Sequence, residues 1–120
     1  MRQERFFLAC KNYAYGIIDN LAHEGYDMNA CDSDGVTALM YAAKNNNQIY
    51  VADKLLGFGA DPKLKDKNQR NVLHYAAVNE NDKVFDIMCL LTGGETSVQF
   101  SEEDRFGHTP SYYHQHKAEF

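Results

Sequence analysis

Cysteines and histidines are the residues with which this chain could do chemistry, and their spacing decides which chemistry that is. Cys10, Cys31 and Cys89 lie far apart, and no Cys-x-x-Cys occurs. An odd number without a framework points to free thiols in a reducing compartment. A thiol nucleophile needs a histidine beside it and a third group to orient that histidine. Cys31 falls near a turn and is expected to be accessible, whereas Cys10 and Cys89 occupy small-residue and leucine-like slots and read as packing atoms. His108, His114 and His116 crowd the C-terminal stretch. Residues i and i+2 of a helix point about 200° apart, so His114 and His116 do not easily share one ion, and tetrahedral zinc needs further ligands. A metal- or thiol-dependent enzyme using Cys31 and these histidines is therefore the rival reading, not the main one. The sequence holds no phosphate loop, no His-Glu-x-x-His and no serine elbow. No cofactor is implied.

The elements that position these residues recur at a fixed period. "DGVTALMYAAKNNNQIY", Asp34 to Tyr50, matches "QRNVLHYAAVNENDKVF", Gln69 to Phe85, with Leu39 answering Leu73, Tyr41 answering Tyr75 and Ala42-Ala43 answering Ala76-Ala77. Gly25, Gly59 and Gly93 recur at the same interval of 34 residues. Each follows an apolar segment of helical spacing and is expected to close it in a left-handed conformation. Thr37 and Thr109 stand where an N-cap hydroxyl belongs, and Pro110 follows at the first helical position. The unit is thus turn, short helix, loop, second helix, glycine stop. Neither helix could hide its apolar face alone, so the units must stack.

These residues resemble the ankyrin repeat. "DSDGVTALMYAA" (Asp32–Ala43) with "LLGFGAD" (Leu55–Asp61) follows the family pattern closely. "DKNQRNVLHYAA" (Asp66–Ala77) is looser, with Gln69 in place of Gly and Asn71 in place of Thr, and "DRFGHTPSYYHQ" (Asp104–Gln115) keeps only the head. The resemblance implies an all-α fold, a solenoid of stacked helix-turn-helix units with β-hairpin-like turns. It forms a single domain over 1–120, with repeats near 4–31, 32–65, 66–103 and 104–120. Both middle units run one residue long, at Asn45–Gln48 and Asn79–Asp82. "TSVQFS" (Thr96–Ser101) is an insertion in which Val98 and Phe100 alternate with polar residues, suggesting a longer finger. Ser111 and His114 replace apolar slots, and no second helix follows, so the last unit reads as a polar cap; a truncated repeat completed by a partner is the alternative.

The resemblance also implies function. The family's turn tips and first-helix edges form a concave face that reads a protein partner, and the repeat is not an enzyme. Carried onto this chain, the candidate binding residues are Ser33, Asp34, Val36 and Lys44, then Lys63, Lys65, Lys67, Asn68, Arg70 and Asn79, then Arg105, Phe106 and His108. Lys63, Lys65, Lys67 and Arg70 alternate along the expected hairpin as a basic strip, which either meets a partner or simply keeps the face soluble. Phe106, if exposed at its turn, is the kind of aromatic anchor that interfaces use. His74 is expected to hydrogen-bond turn backbone, as that family position does. Tyr41, Tyr75 and Tyr113 share one slot and read as core with a solvated hydroxyl. Asn29 holds the turn position that is hydroxylated in some ankyrin proteins, and asparagine there also stabilises the turn.

Bulk properties fit this reading. The chain has 120 residues, room for one domain. A net charge of −5 argues against general nucleic-acid or anionic-membrane binding. The apolar run Phe6–Cys10 is short for a secretory signal, and no stretch approaches a membrane span. The expectation is a cytoplasmic protein, or a nuclear one, or one delivered into a host cell, monomeric until it meets a partner that it inhibits or sequesters. Self-assembly through the ends of the stack is the remaining alternative.

Overall fold

A computed structural model describes residues 6, 8, 15–45, 50–94 and 97–120. Of the elongated loop expected at Asn45–Gln48 all but Asn45, and of the stretch Phe6–Asn12 all but Phe6 and Leu8, lie outside the described residues. Among the described residues the named α-helices are, in order, α1 Tyr15–His23, α2 Ala38–Asn45, α3 Tyr50–Gly57, α4 Val72–Ala77, α5 Asp82–Leu91, α6 Val98–Ser101 and α7 Pro110–Gln115. A 3-10 turn, Lys117–Glu119, comes last.

The helices form two layers. First helices α2, α4 and α7 lie side by side, and each of α2 and α4 packs against its own second helix, α3 and α5. The core is the seam between the layers: Leu39, Met40, Val51, Leu55, Val72, Leu73, Val84 and Met88 are buried. Each such side chain contributes about 1.5–3 kcal/mol by leaving water. A helix of six residues such as α4 has no stability of its own; here all six of its residues are buried, and its neighbours hold it.

The expected punctuation is present. Gly25, Gly59 and Gly93 have φ of 81°, 97° and 112° and close their helices. The Thr37 and Thr109 hydroxyls accept from the Met40 and Tyr112 amides at 3.3 Å. In the loop of the second middle unit, Asn79 Oδ1 accepts from the Asn81 amide, and Asn81 in turn caps α5 through the Lys83 amide.

The hairpin-like turns are as expected for an all-α stack: among the described residues their extended pairing is a single bridge, Cys31 with Thr37. One expectation about local structure is corrected. The insertion is not a finger. Ser97 caps helix α6, Gln99 is buried, and α6 folds down against α4 and α7. Alternation in so short a stretch was satisfied by one helical turn with a capped start.

Candidate functional site

The turns are built from one carboxylate each. Asp32 Oδ1 accepts from the amides of Asp34 and Val36 at 2.9 and 3.0 Å. Asp66 does the same for Asn68 and Arg70, and Asp104 for Phe106 and His108. The second oxygen of each accepts a hydrogen bond from the hydroxyl of the tyrosine nine residues on: Asp32 from Tyr41, Asp66 from Tyr75, and Asp104 from Tyr113. The shared tyrosine slot is therefore a keystone between helix and turn, with its hydroxyl donating to the turn carboxylate. The bond to Asp32 pushes the Tyr41 hydroxyl up to about 12. Burial works to raise the Asp32 and Asp104 carboxyls, but the tyrosine and backbone donors outweigh it and hold both below the usual range.

Neighbouring turns are joined tip to tip. The Lys67 amide donates to Asp34 O at 2.9 Å, and the Arg105 amide to Asn68 O at 2.8 Å. One step behind the tips, Asn29 Oδ1 accepts from the Asp61 amide at 2.6 Å, while its own amide reaches Gly59 O. Asn29 thus stabilises the turn, as its position implied. His74 is fully buried; its Nδ1 accepts from the Asn71 amide and its Nε2–H donates to His108 O at 3.0 Å. Burial lowers its pKa. It joins the turn backbone as expected.

The candidate binding residues separate into two groups. Ser33, Asp34, Lys44, Lys63, Lys65, Lys67, Arg105 and Phe106 are exposed, and Asn68 and His108 are half-buried. Val36, Arg70 and Asn79 are buried, so their expected place on the outer face is corrected. Val36 turns into the core. Asn79 spends its amide on Ala43 O at 2.8 Å. Arg70, 8% exposed, donates through Nε to Asp104 at 3.2 Å and through Nη2 to the Tyr113 hydroxyl at 3.2 Å. The basic strip is likewise largely spent inside the molecule: Lys65 pairs with Glu102 and Lys67 with Asp34, both at 2.8 Å. Alternation along the sequence hid this, because the acidic partners sit more than thirty residues away.

Around Arg70 the face carries a cluster of rings. Its guanidinium lies 5.5 Å from the Phe106 centroid, 5.2 Å from Tyr113 and 4.0 Å from Phe120. Phe106 is 56% exposed at its turn tip, and Arg105 flanks it at 5.9 Å. The sequence reading missed Phe120 and Tyr112, neither of which carries a motif.

The residues of the rival chemistry are dispersed. Cys31 is exposed in the turn before α2, whereas the histidines belong to α7 and its flanks, beyond the whole α4–α5 pair. His108 and His116 both stack on Tyr112, at 3.9 and 4.3 Å, and His114 stacks on Phe85 at 4.6 Å. Among the described residues, no three His, Cys, Asp or Glu side chains come together as a metal site. No described helix is long and apolar enough to cross a membrane.

A family model described as ankyrin repeats (3 copies) matches residues 6–99. The chain belongs to the ankyrin-repeat family. Its relatives include an ankyrin repeat protein of Fowlpox virus (strain NVSL), 28% identical over 105 residues, which is 88% of this chain and 23% of that protein. Protein glp-1 of Caenorhabditis elegans is 35% identical over 85 residues, 71% of this chain and 6% of the relative. Transient receptor potential cation channel subfamily A member 1 of Drosophila melanogaster is 30% identical over 100 residues, 81% and 8% respectively. The chain thus spans less than a quarter of the length of these relatives. Ankyrin repeats are protein–protein interaction modules, and the all-α stack described above is their architecture.

Proposed function

We propose that this ankyrin-repeat chain acts by binding rather than catalysis. It holds a partner protein against the face made by its turn tips and first helices, and so inhibits or sequesters that partner. The observation that carries this reading is Phe106. A large apolar side chain stands 56% exposed on a turn whose backbone is fixed by Asp104, between two guanidinium groups. Rigid, exposed aromatics beside arginine are what interface hot spots are made of, and a fixed turn loses little entropy on binding. Ser33, Asp34, Lys67 and Arg105 on the adjoining tips supply a polar rim of both signs, which governs on-rate and selectivity more than affinity.

Phe106→Ala is the direct test. The side chain holds little of the core, so the variant should melt within about 0.5 kcal/mol of wild type. Its partner, isolated by cross-linking to the wild-type chain and then measured with purified components, should bind about tenfold to a hundredfold more weakly. Undiminished affinity in a folded variant would remove the turn-tip face from consideration. Reversing Arg70 is not a usable probe, because a glutamate there would be buried against Asp104.

A further inference from the structure

The ring of Phe120 occupies a prepared seat. The Arg70 guanidinium lies 4.0 Å from its centroid, and Tyr75 and Tyr113 meet it edge-on at 4.9 and 5.3 Å. Lys44 places its ammonium 5.2 Å from the same ring. These four groups come from α2, from the turn before α4, from α4 and from α7, so the seat spans the first-helix face. Arg70 and both tyrosines each have an anchor other than Phe120, in Asp66 or Asp104. The seat is built by the turns, and Phe120 uses it.

The segment that delivers Phe120 is lightly attached. Lys117–Glu119 is one 3-10 turn without a side-chain cap. Glu119 accepts from the exposed Tyr112 hydroxyl at 2.6 Å, and Lys117 donates to Asn79 O at 2.9 Å and pairs with the exposed Asp82. The Glu119 and Asp82 contacts are exposed, and such pairs hold little; the firmer ties are the part-buried bonds of Lys117 to Asn79 O and of Arg70 Nη2 to Phe120 O at 3.5 Å, with the Phe120 ring packed against the core. Beside the seat, an open cavity of about 360 Å³ runs between Lys44, Asn45, Val78, Asn79 and Glu80. It offers room for chain flanking an aromatic residue.

Building on the binding function proposed above, we propose that this seat receives an aromatic side chain of the partner. A carboxylate precedes that ring in the partner's sequence, and the partner segment displaces Lys117–Phe120 to enter. The internal segment supplies the template: its carboxylate meets Tyr112 and its ring meets Arg70. The cations bordering the seat, Arg70 and Lys44, favour the π-face of a ring, and the Tyr112 hydroxyl offers the carboxylate a donor.

The test uses the full chain carrying Phe120→Ala and the probe peptide acetyl-Lys-Ala-Glu-Phe-amide, titrated by two-dimensional amide NMR. The expected result is shifts concentrated at Lys44, Arg70, Tyr75 and Tyr113. The dissociation constant should be at least tenfold lower than for wild type, whose seat is filled. Replacing the peptide's Phe by Ala should abolish the shifts, and replacing its Glu by Lys should weaken them severalfold. A folded Phe120→Ala chain that takes the peptide no more tightly than wild type, or shifts elsewhere, overturns the proposal. If Phe120→Ala does not melt cooperatively, Phe120→Leu is titrated by the same criterion. If neither variant folds, the segment is core and the proposal falls. A silent seat together with partner loss on Phe106→Ala would leave the binding function standing without the seat; peptide binding with an undiminished partner affinity in Phe106→Ala would leave the seat standing and remove the turn-tip face.

Discussion

Gln69 stands where the neighbouring turns have Gly35 and Gly107, and it adopts the same left-handed backbone, φ 62° against 80° for both glycines. A side chain in that region costs about 1–2 kcal/mol, part of which a glycine would return through the greater freedom of the unfolded chain. Gln69→Gly should therefore stabilise the protein by about 0.5 kcal/mol, raising the melting temperature by roughly 2 °C; a lower melting temperature would mean that the glutamine side chain contributes more than its backbone costs. The reverse change is closed at Gly35, where a Cβ would come 3.2 Å from Asp66 Cα and 3.3 Å from Lys67 N, both backbone. The third turn carries a glutamine on that same left-handed backbone. The departure from the repeat pattern was visible in the sequence, but the close approach of a neighbouring turn at Gly35 was not.

At the scale of elements, the second departure explains the insertion. Asn71 caps α4 through the Leu73 and His74 amides, as a threonine could. Its amide nitrogen also donates to Gln99 O at 2.9 Å and to Glu102 Oε1 at 2.8 Å, tying down the α6 segment. Asn71→Thr should keep the cap and lose both ties. With the Gln99 carbonyl left buried, the expected cost is about 1–3 kcal/mol, read by urea denaturation, with faster protease cleavage between residues 97 and 102. Equal stability and equal cleavage would show that α6 is held by packing alone. The helices, caps and glycine stops were legible because they depend on residues within one unit, where period and spacing can be read. What was not legible joins one unit to another. Asn71 to Glu102, Arg70 to Asp104 and Asn79 to Ala43 each span about thirty residues, and the local pattern around Arg70 gave an exposed basic strip where the fold makes a buried ion pair. Phe120 was missed for the same reason, since its partners lie on three different helices and a turn.

For the whole molecule these links imply a two-stage response to acid. His74 has a folded pKa below its unfolded value of about 6.5, because burial disfavours the imidazolium. Its contribution is complete above that pH and declines as pH falls through 6.5, where the unfolded chain takes up the proton first. Asp32, Glu102 and Asp104 also have lowered pKa values. Their contribution is complete above about pH 4 and is lost as pH falls through the folded values. The melting temperature should accordingly decline modestly from pH 7.5 to 5.5 and steeply below 4, and His74→Gln should melt lower at pH 7.5 yet show no first decline. A wild-type melting temperature that is flat or rises between pH 7.5 and 5.5 would contradict the assignment to His74. The way the turns are joined has a separate consequence. Between Asp34 and Lys67, and between Asn68 and Arg105, the link is a backbone amide meeting a backbone carbonyl. Backbone groups are common to every residue except proline at the donor, so the tips can exchange side chains while the ladder that spaces them stays intact. The proposed recognition surface is in this sense a movable type set in a fixed frame, and on that proposal new specificities are within reach of single substitutions at Ser33, Lys67, Arg105 and Phe106.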